Sequence, residues 1–202
     1  MSKTRQPLIL TALCHEAAAI SKAVGDRARV EVIGPRAAIL GELDVREVDR
    51  IILAGLAGAL SLELKTGDVV IDELSTWDAP NLPGRRGKFY TADRIIEARD
   101  QKAELFRATG AVLVDMESDA VRTFAAARRI PYLGIRAVLD QADETLDPRL
   151  LTLTDTRGRI RPISLATRLP ILLPTLLRMR SKSAVAMRSL CEVIRRTIDT
   201  TA

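Results

Sequence analysis

Short apolar runs alternate with amphipathic stretches along the first three-quarters of the chain. Pro7 to Leu13, Arg29 to Ile33, Arg50 to Ala54, Asp68 to Leu74, Ala111 to Asp115 and Pro131 to Val138 are runs of strand length, bounded by Gly, Pro, Asp or charged residues. Lys88 to Thr91 is also extended in pattern. His15 to Val24, Ala37 to Leu43, Arg99 to Thr109 and Glu117 to Arg128 read as helices, with Gly110 stopping the third. In the fourth, Ala120, Val121, Phe124 and Ala125 fall on one face. Thr76 to Gly87 reads as a loop from its Pro, Gly and Asn content. Strands alternating with helices predict an α/β fold of three layers, a mixed and largely parallel sheet flanked by helices. From about Glu144 the texture changes. Gly158 and Pro162 punctuate a polar link, and helices are predicted over 163–180 and 183–198. We therefore expect one domain over 1–202, with a core over 1–145 and a basic helical region over 146–202.

Two places put carboxylates at the end of an apolar run. Val114-Asp115-Met116-Glu117-Ser118 is one, and Arg136-Ala137-Val138-Leu139-Asp140-Gln141-Ala142-Asp143 is the other. In open α/β sheets the strand C-termini form the ligand crevice. Glu117 and Asp140 there would face one crevice, where carboxylates can accept sugar hydroxyls and pass protons.

Composition narrows the classes. The 202 residues are 47% hydrophobic and 28% charged, ordinary for a globular protein. Aromatics at 3% are too few for a stacking platform, so no nucleic-acid partner is expected. His15 is the only histidine, which argues against a Ser-His-Asp triad or a His-rich metal site. Cys14 and Cys191 lie far apart and read as free thiols of a reducing cytoplasm. No signal peptide is visible, and the longest apolar run, Leu169 to Leu177, is too short to span a bilayer. Within the net charge of +5, residues 151–202 hold ten Arg/Lys against three Asp/Glu. That basic tail suits an anionic lipid surface or substrate, with a cytoplasmic protein sitting peripherally at the inner membrane; its plainer reading is a solvated helix face.

Four segments in order resemble the nucleoside phosphorylase and nucleosidase superfamily, in particular its methylthioadenosine/S-adenosylhomocysteine nucleosidase branch, over roughly residues 7–145. They are Thr11-Ala-Leu-Cys-His-Glu16; Ala54-Gly-Leu-Ala-Gly58 with Lys65-Thr-Gly-Asp-Val-Val70; Asp115-Met-Glu-Ser118; and Arg136-Ala-Val-Leu-Asp140-Gln-Ala-Asp143. Thr91-Ala-Asp-Arg-Ile-Ile96, Lys102-Ala-Glu-Leu105, Thr109-Gly-Ala111 and the tail around Arg168 to Leu177 are more similar to the hopanoid-associated phosphorylases, which are assigned to removing adenine from adenosylhopane. The resemblance implies cleavage of a purine N-glycosidic bond by water or phosphate, with no metal or organic cofactor and phosphate as an optional co-substrate. It also implies a dimer or trimer.

Residue by residue, it implies that Asp140 protonates the base at N7 and Glu16 activates water. Glu117 would hold the ribose hydroxyls and Met116 pack on the sugar. Gly55, Leu56, Ala57 and Gly58 would bring backbone close to the sugar or phosphate, and Ile95 and Ile96 would flank the base. Arg36 is a candidate phosphate contact. Asp140 as an acid needs a raised pKa, for which Asp143 is a candidate neighbour. Each residue also has a plainer reading. Glu16 could be an exposed helix-start acid, Asp140 a helix cap and Gly55 to Gly58 a tight turn. Ile95 and Ile96 could be core, and Arg36 a surface residue. Leu56 stands where the nucleosidases often carry Ser, which leaves a nucleoside-binding protein without catalysis as a rival.

Overall fold

In the computed structural model, residues 6–77, 82–146 and 162–200 are described, with side chains omitted over 162–178. The elements run β1 (Gln6–Thr11), α1 (Cys14–Val24), β2 (Arg29–Val32), β3 (Val48–Ala59), β4 (Val69–Asp72), β5 (Arg85–Gly87), β6 (Phe89–Thr91), α2 (Arg99–Thr109), β7 (Leu113–Asp115), α3 (Ser118–Ala127), β8 (Tyr132–Asp140) and α4 (Pro162–Asp199).

The strand order is β2-β1-β3-β8-β4-β5, with β7 joining β3 and β6. β1, β2, β3 and β8 are mutually parallel where they pair, while β4 on β8 and β7 on β3 are antiparallel. The sheet is mixed and mostly parallel, as the alternation of runs predicts.

The central strands are apolar on both faces because helices cover both. Ile9, Ile52, Ala54, Leu133, Ile135 and Ala137 face one way, against Ile20 and Val24 of α1 and Met187, Leu190, Ile194 and Ile198 of α4. Leu8, Leu10, Ile51, Leu53 and Tyr132 face the other way, against Val121, Phe124 and Ala125 of α3. The two-residue period of the strands thus sorts neighbouring side chains into two cores and makes three layers.

Four expectations need correction. Ala37 to Leu43 is not a helix but part of two short 3-10 turns, Pro35–Ala37 and Leu40–Glu42. Arg36 and Ala37 sit at φ 59° and 55°, which no right-handed helix accommodates. Gly55 to Gly58 is not a turn, because β3 continues through it to Ala59, paired with β8 from Ile51 on. The stretch read as loop contains β5, which pairs with β4 in parallel. The two C-terminal helices are one: no Gly or Pro lies between Thr175 and Asp199 to interrupt α4. The polar link around Gly158 lies outside the described residues.

Candidate active site

β3 is longer than its neighbour β1. Its first half pairs with β1 as far as Leu53, and its last residues, Gly58 and Ala59, pair with β7. Between the two, β3 has no strand on that side, and Glu16 fills the gap. Its Oε1 accepts the N–H of Leu56 at 2.9 Å, and its Oε2 accepts the N–H of Leu13 at 3.1 Å. The second bond caps α1 from within its first turn. Glu16 is therefore a helix-start acid, but a buried one at 2% exposure, which overturns the exposed reading.

On β8 the buried run is broken by one charge, Arg136, 1% exposed. In register it lies beside Gly55 of β3. A Cβ on Gly55 would stand 2.4 Å from Arg136 Nη1 and 3.1 Å from Glu16 Oε1, so the missing side chain is the space the guanidinium occupies. Arg136 Nε and Nη2 donate to Asp115 Oδ2 at 2.9 and 2.6 Å, and Nη2 also donates to Glu117 Oε2 at 2.9 Å. The other oxygen of Glu117 accepts the backbone N–H of Arg36 at 3.0 Å. Asp115 further accepts from Thr91 Oγ1, from the Ser118 N–H and from the Ser118 hydroxyl. The strained turn after Gly34 thus presents a backbone donor, while the Arg36 side chain is exposed.

The second cluster lies three residues further along β3, about 10 Å at the rise of a strand. Asp140 ends β8 opposite Gly58, whose Cβ would meet Asp140 Oδ2 at 3.2 Å. Asp140 is 3% exposed. The residues after Asp140 form a turn and not a helix, so it is no helix cap. Its Oδ2 accepts from Lys102 Nζ at 2.5 Å. Asp143 is exposed, and Glu144 is the carboxylate that acts on Asp140.

Burial sets the electrostatics. It raises the carboxyls of Glu16 and Glu117 above the ordinary range, against the pull of Arg136 and of backbone donors. It raises Asp140 likewise, opposed by Lys102 and helped by Glu144. Arg136 loses solvation, but Asp115, Glu117 and Glu16 more than restore its charge and push its pKa up.

The remaining candidates are more scattered. Met116 is half-buried. Ile96 packs on Leu60, Ala92, Ala111 and Val114, and Ile95 is half-buried just before α2. Ala57 packs in a core with Val70, Leu113 and Val138, and Leu56 packs toward the α1/α4 face. Four side chains in the two clusters have no role assigned by the sequence pattern: Asp115, Arg136, Lys102 and Thr91. Arg136 could have been found, since one charge inside an otherwise apolar central strand must be paired. Lys102 could have been found from Ala98, Lys102, Leu105 and Thr109, whose helical spacing places a lone charge in a half-apolar stripe. Among the described residues no group of three His, Cys, Asp or Glu is arranged to hold a metal, and no helix is long and apolar enough to cross a membrane.

The model of the phosphorylase superfamily matches residues 75–169, the segment that carries Lys102, Asp115, Glu117, Arg136 and Asp140. No curated protein matches the sequence. Among solved structures, the 5′-methylthioadenosine/S-adenosylhomocysteine nucleosidase of Helicobacter pylori is similar with a TM-score of 0.67 and 14% identity, over 98% of this chain and 99% of that one. The corresponding nucleosidase of S. pneumoniae, bound to a transition-state inhibitor, gives 0.68 and 16%, over 98% and 100%. Futalosine hydrolase of H. pylori gives 0.66 and 13%, over 96% and 98%. The chain has the fold of these nucleosidases, and residues 75–169 carry the pattern of the phosphorylase superfamily.

Proposed function

We propose that the protein cleaves the N-glycosidic bond of a purine nucleoside with adenine as leaving group, using water or phosphate as acceptor. The observation that carries this reading is the pair of buried clusters along β3, Glu16–Arg136–Glu117 at Gly55 and Asp140 at Gly58. Their spacing is on the scale of a sugar joined to a base.

In this reading Asp140, raised by burial, gives a proton to the base as the bond breaks. Glu117 accepts ribose hydroxyls, and the carboxylates around Arg136 favour the positive charge that develops on the sugar. Glu16, fixed by two backbone donors, orients the attacking oxygen. A nucleosidase acting on methylthioadenosine-like substrates fits the same geometry, as the fold of the H. pylori and S. pneumoniae enzymes supports. The ten basic residues of 151–202 extend the reading to a nucleoside carried on a lipid, adenosylhopane being the example the sequence resemblance suggests. The core of 1–145 would then act on substrate presented at a bilayer surface by the region 146–202, in an assembly of two or three copies.

The test is release of free base from adenosine, methylthioadenosine, inosine and a long-chain 5′-alkyl adenosine, each with and without phosphate. Adenine release is expected. Asp140→Asn should lower it by about 100-fold or more, within the range for loss of a general acid. Full activity in that variant overturns the assignment. Dependence on phosphate distinguishes phosphorolysis from hydrolysis, and preference for the alkyl substrate with binding to anionic vesicles supports the lipid reading.

A further inference from the structure

α2 is a polar helix with one fully buried charge. Lys102 is 0% exposed, and its ammonium has three acceptors for its three hydrogens: Asp140 Oδ2 at 2.5 Å, Gln141 O at 2.9 Å and Glu144 O at 3.0 Å. A buried ammonium is retained only when it is fully satisfied and paired, and this one is. It also treats the two oxygens of Asp140 differently. Oδ2 is held by Lys102, while among the described residues Oδ1 has no hydrogen-bond donor.

We propose that Lys102 is a positioning residue that sets the acid strength of Asp140: it holds Oδ2, leaves Oδ1 to carry the proton, and stabilises the carboxylate left when that proton departs. The proposal rests on the reading of Asp140 as the acid. As the glycosidic C–N bond breaks, its electron pair goes to the base. The Asp140 proton moves to a base nitrogen, and the O–H pair stays on the carboxylate beside the ammonium. The nucleophile, water or dihydrogen phosphate, gives up one proton on bonding to the sugar carbon, and that proton restores Asp140.

The charged groups around Asp140 point the same way. Lys102 comes from α2. Glu144, on the turn after β8, accepts the Gln141 N–H at 3.0 Å and pairs with Lys182 of α4. Glu144 disfavours ionisation of Asp140, while Lys102 and, at longer range, Lys182 favour it. Lys182 is also bonded to Glu144, and Lys102 is the cation in direct contact with Asp140.

The experiment compares the full-length protein with Lys102→Met and Lys102→Arg. It follows the pH dependence of adenine release and a carbon-NMR titration of the Asp140 carboxyl, assigned by its absence in Asp140→Asn. Without the cation, the neutral acid is favoured. The Asp140 titration and the alkaline limb of the rate profile should both move up by about one pH unit in Lys102→Met. The maximal rate should fall about tenfold or more while KM stays within about threefold. Lys102→Arg should restore most of the rate and the position of the limb. A merely structural lysine would leave the titration and the limb in place, and that result overturns the proposal. Where Lys102→Met does not fold, Lys102→Gln, which keeps two donors without the charge, is read the same way. If the wild type releases no base, the functional reading fails, and the NMR titration alone still decides whether Lys102 sets the acid strength of Asp140.

Discussion

At Gly55 and Arg136 a single hydrogen atom decides where a charge can sit. The guanidinium lies over β3 only because residue 55 has no side chain, and it is fixed there by hydrogen bonds to Asp115 and Glu117. Gly55→Ala would put a carbon 2.4 Å from Nη1. The end of a long side chain normally swings clear of such a clash, but this one is held by two carboxylates. Gly55→Ala should therefore cost base release more than stability, measured as kcat/KM against the urea midpoint. Arg136→Met should cost both, because it removes the group that orients Glu117 and strands Asp115 and Glu117 in the interior. Breaking a buried pair in this way costs about 3–5 kcal/mol, read from urea unfolding. An Arg136→Met protein as stable as wild type would show that these carboxylates do not depend on the guanidinium. The sequence places Glu16, Glu117 and Asp140 at strand and helix junctions, and the structure brings Glu16 and Glu117 to one guanidinium. It does not announce the cations that hold them. Arg136 and Lys102 act across the sheet, and long-range pairing leaves only a misplaced charge in the local pattern.

Among the elements, β1, β3 and β8 were legible as short continuous apolar runs, because both faces are buried and nearly every residue must be apolar. The element ends were not legible. β3 runs on through Gly55 to Gly58 because β8 on one side and Glu16 then β7 on the other satisfy its backbone. Glycine signals a turn only where no such partners exist. In the same way Ser181, Lys182 and Ser183 look like a break but are helix-compatible, and α4 passes through them. The buried part of α4 anchors the C-terminal region to the sheet through Leu190, Ile194 and Ile198, each at most 2% exposed. Leu190→Ala should destabilise the fold by about 2–5 kcal/mol, the usual cost of emptying a packed leucine site. A loss below that range in denaturant titration would mean that α4 is only loosely seated on the sheet.

Across the molecule, the site's carboxylates act on stability together. Glu16, Glu117 and Asp140 all have carboxyls raised by burial in the folded state. Asp72, which accepts from Arg122 and Tyr132 behind the site, is raised as well, again chiefly by burial. A carboxyl whose folded pKa exceeds its unfolded value binds its proton more tightly when folded. Stability is therefore greatest below the unfolded value, about 4 for Asp and Glu, and falls as pH rises from there through the raised folded value. Asp44 and Glu192 are shifted down by Arg46 and by Arg196 with Arg195, and His15 is shifted down by burial, which gives the opposite slope. The two carboxylates are screened by solvent and His15 is a single, partly exposed group, so the four buried carboxyls set the sign. The melting temperature should thus fall as pH is raised from about 4.5 toward neutrality, and Glu117→Gln should flatten part of that slope by removing one titrating group. A melting temperature that climbs steadily over this interval would mean that the ion pairs with Arg136 and Lys102 outweigh the effect of burial. The functional consequence comes from the same protons. Asp140 can act as an acid only while it keeps the proton that burial favours, so the range in which the site can donate is the range in which the fold is most stable. Raising the pH through that window should lower base release and melting temperature together, and Asp140→Asn should uncouple them.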